Sequence, residues 1–225
     1  MDESENEFSG TIPSGLGSLS HLRLLFLGDN DYSIGQLPTS FLNLTLLEDL
    51  SIRDGQLNGT FDLSYLPSSL IYLDLGSNTL TGIISAEIGN LSKIEFLILN
   101  DNPGISGSLP TTMTQLTSLR VTFLDGTNLT SGIDQICTLP KFRDGDKTKK
   151  GGGVAFADCG PKNSKNDTDV EVACDCCQCC SDFVNNGMGC SISYQNNLRK
   201  DWSEDFQKLN YAVSNGTMFI NRDNK

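Results

Sequence analysis

Leu70-Ile-Tyr-Leu-Asp-Leu-Gly-Ser-Asn-Thr-Leu-Thr-Gly-Ile-Ile84 carries the unit that decides the fold, because the chain repeats it five times. The opening apolar positions are Leu22, Leu47, Leu70, Ile94 and Leu119, spaced 25, 23, 24 and 25 residues apart. Three and five residues after each come Leu25/Leu27, Leu50/Ile52, Leu73/Leu75, Leu97/Leu99 and Thr122/Leu124, with Thr122 the one polar member. The eighth position is Asn30, Gly55, Asn78, Asn102 and Thr127. A unit of this length cannot bury its own apolar edge, so each copy needs neighbours stacked against it.

The period and the spacing of leucines are those of a leucine-rich repeat. The second half of the unit narrows the class. Phe8-Ser-Gly-Thr-Ile-Pro13, Leu57-Asn-Gly-Thr-Phe61 and Leu80-Thr-Gly-Ile-Ile84 share an L-x-G-x-I frame, and Gly35-Gln-Leu-Pro38 and Gly107-Ser-Leu-Pro110 fit it after a one-residue insertion. Over residues 6–136 this resembles the plant-type, receptor-like subclass of extracellular leucine-rich repeat proteins. The expected fold is an α/β-type repeat solenoid: a right-handed curved superhelix, L domain-like, with a parallel concave β-sheet. A small disulfide-rich C-terminal module follows. Gly55 and Thr127 replace the Asn, and Asp62 and Ser85 replace the Pro, which predicts a weaker turn ladder in those copies.

The alternating segment after each opener reads as a short strand whose leucines point inward and whose intervening residues face the concave side. An Asn at the turn can satisfy backbone groups that would otherwise be buried unpaired. Gly10, Gly35, Gly59, Gly82 and Gly107 stand where positive φ or close approach is expected. Leu16, Leu19, Phe41, Leu44, Ile88, Leu91, Met113 and Leu116 are the expected convex side of the core.

Two columns follow on the concave face. One reads Leu24, Asp49, Tyr72, Phe96, Val121, and the other Phe26, Ser51, Asp74, Ile98, Phe123. Exposed apolar and aromatic residues on a concave sheet have no folding role, so they are binding candidates. The candidate ligand-binding set is Tyr72, Phe96, Asp74, Phe26, Ile98, Phe123 and Asp49, with Arg53 beside them. A third column, Asp29, Asp54, Ser77, Asp101 and Gly126, admits a calcium or basic-ligand reading and an ordinary solvated one.

The net charge of −12 belongs wholly to the repeats: residues 1–140 hold 4 Lys/Arg and 16 Asp/Glu, and residues 141–225 hold 12 of each. An acidic array repels phosphate backbones, so nucleic acid is not an expected partner. No apolar run reaches the 18 or so residues of a membrane span. The chain begins on an acidic stretch and enters mid-repeat, which reads as a chain whose secretory signal and N-terminal cap are missing.

All 8 cysteines follow the repeats: Cys137, Cys159, Cys174, Cys176, Cys177, Cys179, Cys180 and Cys190. An even count in a small module points to disulfides. The alternative is a thiolate metal cluster, although the single histidine, His21, supplies no Cys/His pairs. The frame Ile136-Cys137, Phe156-Ala-Asp-Cys159, Val172-Ala-Cys-Asp-Cys-Cys-Gln-Cys-Cys180 resembles the cysteine-rich tail that follows leucine-rich repeats in diatom and algal proteins. That resemblance implies a secreted or cell-surface protein with a disulfide-closed cap. The expected organisation is a solenoid over 1–136, a cysteine module over 137–190 and a tail over 191–225. Lys141–Gly153 reads as a flexible loop. In the tail, Asp201 and Glu204 fit a capping box, and Trp202, Phe206, Leu209 and Val213 fall at helical spacing.

Sequons lie at Asn43, Asn58, Asn90, Asn128, Asn166 and Asn215. With the cysteines they point to an oxidising, secreted or cell-surface location. There is no catalytic constellation and no cofactor motif, since one His without a nucleophile motif leaves no acid–base or triad scheme. The expected function is therefore a binding module for a protein, peptide or glycan ligand in cell-surface signalling or defence. The alternatives are a wall or matrix protein similar to polygalacturonase inhibitors, and a metal-thiolate protein.

Overall fold

The computed structural model describes residues 1, 6–142, 153–158, 174, 177–179, 211–214 and 217–220. The strands are β1 (Leu24–Phe26), β2 (Asp49–Ser51), β3 (Asn58–Thr60), β4 (Tyr72–Asp74), β5 (Thr79–Ile83), β6 (Phe96–Ile98), β7 (Asn102–Ser108), β8 (Val121–Phe123), β9 (Thr127–Ser131), β10 (Val154–Ala157), β11 (Gln178–Cys179), β12 (Tyr211–Ser214) and β13 (Thr217–Ile220). Each repeat contributes one strand to a parallel concave sheet of order β1-β2-β4-β6-β8-β10-β11. A second parallel sheet, β3-β5-β7-β9, is built from the L-x-G-x-I segments. The repeats close through 3-10 turns at Ser14–Ser18, Thr39–Asn43, Leu63–Tyr65, Ala86–Asn90, Thr111–Gln115 and Ile133–Thr138.

The inward column is Leu25, Leu50, Leu73, Leu97 and Thr122, in register across the strands. Its four leucines keep no exposed surface, and neither do Leu75 and Leu99 beside them. On the convex side Phe41, Leu44, Ile88, Leu91, Met113 and Leu116 are buried as expected. Leu19, in the first of the described repeats, is not: it is 42% exposed. Four of the five expected glycines have positive φ, from 79° at Gly59 to 98° at Gly82; Gly35 does not.

The turn ladder explains how Gly55 is tolerated. The side-chain oxygen of Asn78 accepts from Gly55 N at 3.2 Å and Leu57 N at 2.9 Å, in the repeat before its own. Its amide donates to Ile52 O at 2.7 Å and Leu75 O at 3.0 Å. One buried Asn thus serves two repeats, and the missing Asn at position 55 leaves no orphan there. Thr127 keeps one link of the ladder, its hydroxyl donating to Leu124 O at 2.6 Å. Where Asp62 replaces Pro, its carboxylate accepts from Ser64 N at 2.9 Å and caps a turn of 3 residues in place of 5.

The sheet does not end with the repeats. β10 pairs with β8 in the parallel register Ala155↔Thr122, and β11 pairs with β10. Ala155 and Ala157 are buried where the repeats carry leucines, and Cys177 joins the same core. The tail differs from the expected helix at Val213, which lies in β12 opposite Met218 of β13. The other positions of that helix, Asp201, Trp202, Glu204, Phe206 and Leu209, lie outside the described residues, as does most of the loop over 141–153. No helix among the described residues is long and apolar enough to cross a membrane.

Candidate functional site

The concave columns form in the register read from the sequence: Leu24↔Asp49↔Tyr72↔Phe96↔Val121 and Phe26↔Ser51↔Asp74↔Ile98↔Phe123. The structure therefore brings the candidate residues together. Their expected exposure is overturned. Tyr72 and Phe96 are 0% exposed, Ile98 1%, Phe26 7%, Asp49 0% and Asp74 1%. Phe123 alone of the aromatic candidates is half-buried, with its ring 4.8 Å from that of Phe156 in an edge-to-face arrangement.

The physical reason is the size of the side chains. Strand alternation decides which side of the sheet a residue leaves, not whether anything covers it. Bulky residues in adjacent columns cover one another across the 4.8 Å or so between strands. Tyr72 and Phe96 stand 6.0 Å apart between ring centroids, tilted by 45°. With Phe26, Ile98 and Val121 they form an apolar cluster separate from the core inside the coil. Aromatic residues outside the core thus have a packing role that the pattern of the repeat does not reveal.

Polar residues border this cluster. The Tyr72 hydroxyl donates to Asp74 Oδ2 at 3.2 Å, and Gly76 N donates to Asp74 Oδ1 at 2.9 Å. Arg53 lies 3.6 Å from the same carboxylate and 4.0 Å from Asp101. Its guanidinium donates to Asn100 Oδ1 and Ser77 Oγ, both at 3.2 Å. One arginine of the second repeat is thereby tied to the third and fourth. Gly76 leaves the space: a Cβ there would collide with the Arg53 guanidinium. Burial works to lower the Arg53 pKa, but Asp74 and the neighbouring charges outweigh it and raise the value. Burial raises the Asp74 carboxyl, with Arg53 and the hydrogen bonds opposing the shift. Asp125, at the end of the concave strands, is pushed up to about 6 by burial and by the nearby Asp101.

The column Asp29, Asp54, Ser77, Asp101 and Gly126 has a backbone cause. All five sit in the left-handed region, with φ of 54°, 47°, 53°, 54° and 67°. Asp tolerates that conformation better than most residues, and Gly takes it freely. The turn after each concave strand selects these residue types, which accounts for the acidic column without a metal. Among the described residues no group of three His, Cys, Asp or Glu is placed to hold a metal ion.

Of the cysteines, Cys174 and Cys177 form a disulfide, and Cys137 is disulfide-bonded as well. Cys179 lies in β11, and Cys159, Cys176, Cys180 and Cys190 lie outside the described residues. Asn43 and Asn90 are exposed at equivalent ends of the turns Thr39–Asn43 and Ala86–Asn90. Asn58 and Asn128 lie in β3 and β9, and the Asn128 amide donates to Pro103 O at 2.6 Å. Asn166 and Asn215 lie outside the described residues.

No family model matches the chain. It is 33% identical over 155 residues to Receptor-like protein 41 of Arabidopsis thaliana, covering 57% of this chain and 17% of that protein. Among solved structures it is similar to the LRR ectodomain of the plant membrane receptor kinase GASSHO1/SCHENGEN3 from Arabidopsis thaliana, in complex with Casparian strip integrity factor 2. The TM-score is 0.61 at 28% identity, over 80% of this chain and 25% of that one. It is also similar to the Arabidopsis receptor kinase HAESA in complex with the peptide hormone IDA and the co-receptor SERK1. There the TM-score is 0.53 at 34% identity, over 58% of this chain and 22% of that one. The chain thus spans a quarter or less of the length of each. The repeat, the two parallel ladders and these likenesses show a leucine-rich repeat solenoid that is similar to plant receptor-like proteins and to plant receptor kinase LRR ectodomains.

Proposed function

We propose that the chain is a non-catalytic recognition module, secreted or held at the cell surface, whose concave face binds an extended peptide or a protein segment in signalling. The observation that supports this reading most is the Arg53 network. A cation bound to side chains of two further repeats keeps a fifth of its side chain exposed at the border of a packed aromatic cluster. A preorganised donor beside apolar surface is the kind of anchor around which interfaces concentrate their energy. The complex of HAESA with the peptide hormone IDA supports the ligand class. The buried rings shape and stiffen the face, and Arg53, Asp101 and Phe123 are its accessible parts. Glycans at Asn43 and Asn90 leave that face clear.

The test is peptide selection from a display library on the native protein, followed by equilibrium binding to variants. Arg53→Lys keeps the charge beside Asp74 but loses the planar fork, and it should weaken the selected peptides about tenfold, or 1.4 kcal/mol. Thr81→Glu, on the second sheet, should leave binding unchanged. Peptides indifferent to Arg53→Lys and lost with Thr81→Glu would move the recognition surface to the second sheet.

A further inference from the structure

The surplus charge of the repeats is acidic. Of the 4 basic residues in 1–140, every arginine already faces a carboxylate: Arg23 lies 2.6 Å from Glu48, Arg53 3.6 Å from Asp74 and Arg120 3.6 Å from Glu95. The fourth, Lys93, is exposed ahead of β6. Gly28, Arg53, Gly76, Asn100 and Asp125 hold one position of successive repeats. Arg53 reaches along this row, over Gly76, to Asn100 Oδ1 at 3.2 Å, and no ion pair carries it on to Asp125.

Asp125 is therefore left with a buried charge. It is 6% exposed, and the only hydrogen bond to its carboxylate comes from its own backbone N–H. Among the described residues no cation pairs with it. Asp101 stands beside it: the Asp101 N–H donates to Asp125 O at 2.9 Å, and the Asp101 side chain is 49% exposed. The Asn100 amide donates to Asp101 Oδ2 at 2.6 Å, which leaves that carboxylate room for further donors. On the other side, Gly126 N donates to Asp158 Oδ2 at 2.8 Å, so a third carboxylate lies near. A buried carboxylate without a cation costs the folded state. Stacking of the repeats does not require one, since the same position elsewhere is Gly, Arg or Asn.

We propose that Asp101 and Asp125 form a subsite for a single basic side chain, lysine or arginine, of the bound peptide, an inference that rests on the concave face being the recognition surface. Asp101 is the accessible rim that attracts the cation, and Asp125 is the deeper acceptor whose charge the cation neutralises. Arg53 takes no part in holding that group, because its guanidinium is already committed to Asp74, Ser77 and Asn100. The two ends of the row then differ in charge: Arg53 meets acceptors of the ligand, and the Asp101/Asp125 pair meets its donor. The acidic surplus of the array favours a basic ligand throughout its approach. The carboxylate that lowers stability at neutral pH is the one that a ligand cation satisfies.

The test is an NMR titration of the full native chain with three blocked tripeptides: acetyl-Gly-Arg-Gly-amide and its Lys and Gln counterparts. The Arg and Lys peptides should shift the backbone amides of 100–101 and 125–126 saturably, and the Gln peptide should not. The double variant Asp101→Asn/Asp125→Asn should bind the Arg peptide about tenfold more weakly, with its melting temperature confirming that it is folded. The proposal is overturned if these amides show no saturable shift, if the double variant binds undiminished, or if calcium chloride produces the shifts and neither cationic peptide does. Tripeptide binding here, with library-selected peptides indifferent to Arg53→Lys, would support this subsite and remove the Arg53 anchor. Selected peptides weakened by Arg53→Lys, without tripeptide shifts here, would remove the subsite and leave the anchor.

Discussion

The ring of Tyr72 lies 6.0 Å from the ring of Phe96 on the next concave strand, and both are fully buried on a face that the repeat pattern directs away from the core. The solenoid therefore carries two apolar layers, one inside the coil and one on its inner surface. Truncating either ring should destabilise the protein as a core change would. Tyr72→Ala or Phe96→Ala is expected to cost about 3–5 kcal/mol, measured by denaturant or thermal unfolding. A loss within a few tenths of a kcal/mol would mean that the rings are only surface anchors.

Asn78 is the second structural focus, because two repeats share it. Asn78→Ala removes the acceptor for Gly55 N and Leu57 N and the donor for Ile52 O and Leu75 O. Leaving buried backbone groups unpaired costs about 1–3 kcal/mol each. The expected penalty exceeds that of Asn30→Ala: Asn30 Oδ1 also accepts from the preceding segment, from Phe8 N at 3.2 Å, but that bond is only partly buried, whereas both bonds accepted by Asn78 are buried. Equal penalties would mean that burial of the ladder does not set its strength.

Thr122 occupies the inward column with no exposed surface, and its hydroxyl has no hydrogen-bond partner. Thr122→Val keeps the shape and removes the unpaired group. It should raise stability by about 1–3 kcal/mol, read as an upward shift of the melting temperature. A fall would mean that the hydroxyl has a partner in solution.

Asp125 makes stability depend on pH. Its folded pKa of about 6 lies above the ordinary 3.8, so the folded state holds the proton more tightly. That contribution is fully present below about pH 3.8 and is lost as the pH rises through 6. The raised Asp74 adds a slope of the same sign. Asp125→Asn should therefore match the native protein near pH 4 and exceed it at pH 7 by up to about 3 kcal/mol. A gain that does not grow with pH would contradict this.

The array was legible in the sequence because its signal is periodic. The strands, their register, the inward leucines and the odd position of Thr122 all follow from one spacing. Burial of Tyr72 and Phe96 was not legible, since alternation reports the side of the sheet and not the crowding on it. The acidic column was visible but ambiguous; only the positive φ of Asp29, Asp54 and Asp101 shows that a turn selects it. β10 was hidden for a different reason. A Gly- and Lys-rich insertion breaks the period before it, and Ala155 and Ala157 replace the leucines that would have marked it.

The central claim is that recognition uses the concave sheet. Hydrogen exchange of the native protein, with and without a peptide selected on it, tests that claim most directly. The account predicts that bound peptide slows exchange in segments 51–54, 74–77 and 98–101, around Arg53 and the ends of the concave strands. Slowing confined to 79–83 and 102–108, on the second sheet, would contradict it.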